Sequence, residues 1–160
     1  MALLPLLSTF RRRVHATLSA ANYPSADLII YCPLRVTEAC TVLRVFLVNG
    51  SSVSGNVNIG LYSSTGTKLW ETGSTAQSGT GQTQFIDIAD QNVAAGLYYV
   101  AIQCSGTPSL PRQNPSLHFL QADGVMQEQA GSFALPATAT FAVLANNYLP
   151  AYGLDLRGAV

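Results

Sequence analysis

Asn56-Val57-Asn58-Ile59-Gly60-Leu61-Tyr62, then the turn Ser63-Ser64-Thr65-Gly66, then Thr67-Lys68-Leu69-Trp70-Glu71, decides how this chain folds. Val57, Ile59 and Leu61 alternate with Asn56, Asn58 and Gly60, the period of a strand with one buried face. Gly66 suits a turn position with positive φ, so the two runs form a hairpin. Further on, Leu97 to Gln103 alternates most clearly of all. Tyr98, Val100 and Ile102 share one face, and Leu97, Tyr99 and Ala101 the other. Asp90 to Gly96 is expected to be a corner. A tyrosine just after such a corner folds its hydroxyl back onto the corner backbone, so Tyr98 and Tyr99 are read as structural.

Outward from this centre, Leu28-Ile29-Ile30-Tyr31 is a short strand closed by Cys32-Pro33, because proline cannot donate to a central ladder. Thr41 to Val48 is a near-continuous apolar strand broken by Arg44 and ended by the turn signal Asn49-Gly50-Ser51-Ser52. Thr72 to Gln82 is rich in Ser, Thr, Gly and Gln and is expected to be a flexible surface loop. Gln84 to Ile88 is a strand with Phe85 and Ile86 on opposite faces. Pro108, Pro111 and Pro115 make Gly106 to Pro115 a long irregular connection. Leu117 to Leu120 and Thr138 to Val143 are two further strands, and Asn146 to Leu154 is apolar but punctuated by turn residues. Short strands at this spacing predict an all-β, antiparallel β-sandwich of jelly-roll or immunoglobulin-like topology over residues 25–160.

Residues 1–24 are expected to form an N-terminal arm or short helix. Leu7, Phe10, Val14 and Leu18 fall at helical spacing, with Ser8 and Thr9 as caps and Asn22-Tyr23-Pro24 as a stop. So narrow an apolar stripe needs support from its own sandwich or a neighbour. Val14 and Leu18 are expected to pack on their own domain and Met1 to Leu7 to reach outward. Arg11, Arg12 and Arg13 follow the apolar run where a secretory signal would have them precede it. No run approaches the roughly 18 apolar residues of a membrane helix.

The 160 residues suffice for one domain with its own core. Charged residues make up 10% of the chain, against a usual quarter or so, and the eight basic and eight acidic residues cancel. No field exists to gather nucleic acid, and three arginines are too few to hold DNA at physiological salt. Sparse charge suits a surface that meets other protein, since interface centres are depleted in charge; an extracellular or carbohydrate-facing domain is the alternative. Cys32, Cys40 and Cys104 give neither a disulfide framework nor a zinc site, although a Cys32–Cys40 bridge stays open. Cys104 is read as a small buried hydrophobe.

The constellations that carry catalysis are missing from the sequence. The two histidines, His15 and His118, accompany no G-x-S-x-G elbow, and the eight acidic residues form no recognisable pair. Asp87, Asp90 and Asn92 hold oxygens that calcium takes but miss its loop pattern, and such residues are ordinary turn formers. Trp70 and Tyr62, with Tyr98, are candidate contacts for stacking on a glycan; for a lone tryptophan the core is the commoner place. No cofactor, metal or catalytic residue is assigned.

Val48-Asn49-Gly50, Ser54-Gly55-Asn56-Val57-Asn58-Ile59-Gly60-Leu61-Tyr62, Gly73-Ser74-Thr75-Ala76-Gln77-Ser78-Gly79 and Ala95-Gly96-Leu97-Tyr98-Tyr99-Val100-Ala101 together resemble a group of small β-sandwich proteins of tailed bacteriophages. Phe133-Ala134-Leu135-Pro136-Ala137-Thr138 and Tyr148-Leu149-Pro150 resemble that group's closing pattern. The resemblance covers about two-thirds of the chain and implies a non-enzymatic virion component, made in the host cytoplasm. The expected role is a capsid decoration or cement protein on the head, binding the major capsid protein. Its interface would be drawn from Leu3, Leu4, Leu6, Leu7, Phe10, Arg11, Arg12 and Arg13. A homo-oligomer is expected, a trimer by analogy with three-fold positions on heads, with neither nucleic acid nor membrane as partner. The alternative is a tail fibre or appendage module binding host glycans through Trp70 and Tyr62.

Overall fold

The structure, a computed structural model, describes residues 6–8, 18–113 and 116–158. Its elements in order are β1 (Leu6–Ser8), β2 (Leu18–Asn22), β3 (Leu28–Val36), β4 (Cys40–Val48), β5 (Asn56–Ser63), β6 (Lys68–Glu71) and β7 (Thr75–Ala76). There follow β8 (Thr83–Val93), β9 (Gly96–Cys104), β10 (Ser109–Gln113), α1 (Leu117–Ala122), β11 (Met126–Gln129), β12 (Ala142–Val143), β13 (Leu149–Pro150) and β14 (Tyr152–Gly158). All pairings are antiparallel, in a sheet of order β1-β14-β4-β8, a larger one of order β12-β11-β3-β9-β5-β6 with β7 beside β5, and a small one of order β13-β10-β2. The expected β-sandwich is what forms.

The two main sheets enclose the principal core. Ile30 of β3, Val45 and Leu47 of β4, Ile59 and Leu61 of β5, Ile102 of β9 and Leu154 of β14 meet there, almost wholly buried. Each contributes about 1.5–3 kcal/mol by leaving water. Two tyrosines cross this core to the same pair of strands. The Tyr23 hydroxyl donates toward the Leu28 and Ile102 carbonyls at 2.9 and 3.0 Å, and that of Tyr152 toward Val100 at 2.8 Å.

The other face of the larger sheet is covered as well. Leu135, Ala139 and Phe141, from the segment between β11 and β12, pack onto Ile29, Tyr31, Tyr62 and Ala101. Every residue from Val57 to Tyr62 is therefore buried, and β5 does not have the single buried face that its alternation implied. Polar bonds tie the covering segment down: Gln103 Nε2 donates to the Ser132 carbonyl at 2.9 Å, Lys68 Nζ to that of Leu135 at 2.8 Å, and the Tyr62 hydroxyl to that of Pro136 at 2.7 Å.

The hairpin β5–β6 forms as read, with Gly66 at φ +90° in its turn. The tyrosine corner forms too, the Tyr98 hydroxyl donating to the Ala94 carbonyl at 3.0 Å. It is tighter than expected, because β8 runs on to Val93 and only Ala94 and Ala95 turn. Strand β3 passes through Pro33 to Val36. Its neighbour β11 stops at Tyr31, so Pro33 sits where that flank is an open edge and proline is tolerated.

Other expectations are corrected. Residues 109–113 are strand β10 despite Pro111. The Pro111 carbonyl accepts from Ala151 N–H, while the Ala151 carbonyl, which a donor at position 111 would have used, accepts from Val48 N–H. Leu117 to Leu120 is helical: Leu117 and Leu120, three apart, face inward, and Gly124 at φ +78° follows the end. Only Ala142–Val143 of the expected strand over 138–143 is a strand, plus an isolated bridge from Thr138 to Thr67. The turn-punctuated end contains β14, which lies between β1 and β4. Thr72 to Gln82 includes the short β7. Leu18, expected at the end of a helix, opens β2, which pairs with β10.

Candidate functional site

Trp70 and Tyr62 do not make a platform. Tyr62 is fully buried on the covered face, packed edge-on against Tyr31 at 5.3 Å. A ring with no exposed face cannot stack on a sugar, which corrects the glycan assignment for this residue. Trp70 is half-buried against the principal core, on the opposite side of the sheet, and Tyr98 packs there too. Burial pushes the Tyr62 hydroxyl above the usual tyrosine range.

Glu128 and Glu71 are similarly engaged. Glu128 Oε2 accepts from the Tyr31 hydroxyl at 2.7 Å and from Thr140 N–H at 2.9 Å, joining β11 to β3 and to the covering segment. Glu71 accepts from Lys68 Nζ at 2.6 Å and from Asn58 Nδ2 at 2.8 Å. Asp87, Asp90 and Asn92 lie exposed along β8, and Asn92 Oδ1 accepts from the Thr41 hydroxyl at 3.0 Å. Among the described residues no three of His, Cys, Asp and Glu are gathered as a metal site would need. His118 is exposed on α1, and His15 lies outside the described residues. No disulfide joins Cys32 to Cys40, which corrects the bridge that the sequence left open. Cys104 is buried as expected, and burial pushes its thiol up, away from the reactive thiolate.

Leu6 and Leu7, expected in an outward arm, belong to β1 and pair with Asp155 and Leu154 of the chain's own β14. Leu3, Leu4, Phe10, Arg11, Arg12 and Arg13 lie outside the described residues.

What the fold does assemble on its surface is a cation–aromatic patch on the outer face of the four-stranded sheet. Register places Asp155, Arg44 and Asp87 in one cross-strand row and Gly153, Phe46 and Phe85 in the next. Arg44 Nε bonds to the nearly buried Asp155 carboxylate, and its guanidinium lies 4.2 Å from the Phe85 ring centre. Phe46 packs tilted on Phe85 at 6.1 Å, and Phe85 remains 47% exposed. Such an arrangement holds an aromatic ring rigid at the surface, ready for apolar contact. The signal for it was the placement of Phe85 opposite Ile86, which sends one of the two outward. A shallow cavity of about 480 Å³ opens beside the tyrosine corner, lined by Arg35, Val36, Thr37, Ala95, Gly96 and Leu97.

Comparison of the chain with family models, with curated proteins and with solved structures finds no match.

Proposed function

We propose that this chain is a non-enzymatic virion structural protein of a tailed phage, a decoration or cement subunit that stabilises the head through protein–protein contacts. The observation that carries this reading is where polar and apolar side chains are placed. Glu71, Glu128, Asp155 and the tyrosine hydroxyls of residues 23, 62, 98 and 152 are engaged in bonds that hold the sandwich together. Leu69, Phe85, Leu97, Phe119 and Val143 meanwhile stand 47–67% exposed on a chain with only 10% charged residues. Large apolar side chains on a weakly charged surface suit a subunit that meets many neighbours. Repetition over a particle multiplies small contacts into a large effect.

The partners in this reading are the major capsid protein and further copies of the chain, with the sequence before β2 as the first contact to test. The appendage alternative rests on an aromatic platform to which the buried Tyr62 does not contribute.

Quantitative staining of purified particles tests the role. Many copies per particle are expected, and a handful at a fibre or tip would refute a decoration protein. A variant lacking residues 1–8 should keep its circular dichroism spectrum and fail to bind particles; retained binding would remove residues 1–8 from the proposed contact.

A further inference from the structure

Among the described residues β8 pairs with β4 on one side and with no strand on the other, which makes it a free edge eleven residues long. Stable monomers blunt such edges with bulges and charges. Here the blunting is confined to the second half. The register with β4 shifts between Val42 and Arg44, so that residues 88–90 bulge, and Asp90 lies within that bulge. The first half, Thr83–Asp87, pairs rung for rung with Val48 to Arg44. Its one charge is at its end, and Phe85, half exposed and held by Arg44 and Phe46, is at its centre.

We propose that Thr83–Asp87 is a self-association edge, pairing antiparallel with the same segment of a second copy about a two-fold axis through Phe85. The side chains select both this occupant and this register. With the axis at Phe85, the two Phe85 rings face one another, and the cross-strand row becomes Phe46–Phe85–Phe85–Phe46 across the joint. Aromatic cross-strand pairs of this kind stabilise a ladder. Each Asp87 then faces Thr83 of the other copy, so no like charges meet. An axis at Asp87 would oppose two carboxylates, and axes at Gln84 or Ile86 would set Phe85 against Thr83 or Asp87. A single patch that complements itself in this way is what a two-fold interface requires. The joint would merge the two four-stranded sheets into one continuous sheet. It stands on the β8 geometry alone and does not depend on the virion reading.

Sedimentation equilibrium on the full chain tests it. The wild type should show dimer mass that dissociates on dilution. Phe85→Lys should raise the dissociation constant at least tenfold with an unchanged circular dichroism spectrum, and Leu97→Lys, exposed elsewhere, should leave it unchanged. Thr83→Lys places a cation opposite Asp87 of the other copy, twice by symmetry, and should tighten the dimer about fivefold, as two rim ion pairs would. A monomer at every concentration, a trimer, or a dimer indifferent to the Phe85 and Thr83 changes would overturn the proposal. A dimer that behaves as described but is missing from purified particles would refute the virion reading alone.

Discussion

A methyl group on Gly60 would stand 2.8 Å from Leu135 Cδ1 and 2.9 Å from the Trp70 carbonyl oxygen, so the covering segment can seat only on a residue with no side chain there. Gly60→Ala should therefore cost about 2 kcal/mol, as overpacked sites do, read as a lower urea midpoint with the fold retained. The buried tyrosines set a second residue-scale expectation. Burial raises the pKa of Tyr23 and of Tyr152 well above the ordinary value of 10.0. Below that pH both folded and unfolded chains keep the two protons and the stabilisation is complete. Above it the unfolded chain releases them while the folded chain holds them, so stability falls as pH rises, by about 1.4 kcal/mol per pH unit for each tyrosine. Thermal melts followed from neutral pH upward should be flat to about pH 10 and drop beyond it, with tyrosinate absorbance appearing at the transition; a flat profile above that pH would show these hydroxyls to be accessible. Gly60 looked like a polar-face residue in the sequence, because the period of β5 separates two faces without saying whether either is covered. The same limit applied to Tyr62 and, in reverse, to Phe85.

Among the elements, the legible ones were those whose signal is local. Strands β5, β6 and β9 followed from alternation and Gly66, and the tyrosine corner followed from Tyr98 after a turn. That corner can be tested alone: Tyr98→Phe removes only the bond to the Ala94 carbonyl and should cost about 1 kcal/mol in urea titration. Where reading failed, distant partners had decided the outcome. Pro111 argued against a strand, yet Val48 N–H engages the one acceptor that its missing donor would have left empty. Tyr152, Leu154 and Leu156 alternate with Gly153 and Asp155 as a good strand should, but Pro150 and Gly153 disguised them as turn. Helix α1 is too short at six residues for its period to show, and its identity comes from Leu120 fitting the core.

At the scale of the whole molecule, the described part of the N-terminal region belongs to the fold. Ser19 and Ala20 pair with Arg112 and Pro111 of β10, and the Tyr148 hydroxyl donates to the Ala21 carbonyl at 2.8 Å. Removing residues 1–20 should consequently lower the melting temperature by several degrees, since about 1 kcal/mol shifts it by roughly 2–4 °C at this size. Removing residues 1–8 should lower it less, because among the described residues the loss is the three rungs of β1. Equal losses from the two truncations, measured calorimetrically, would mean that β2 contributes nothing to the small sheet.

β14 completes the sandwich from the far end of the sequence, with Tyr152 reaching across to the carbonyl of Val100. During vectorial synthesis the earlier strands must therefore wait, apolar faces uncovered, until residue 158 has left the ribosome. Contacts so distant along the chain also make closure slow. Nascent chains of this protein should accordingly depend on holding chaperones until β14 emerges and gain protease resistance only once it has docked.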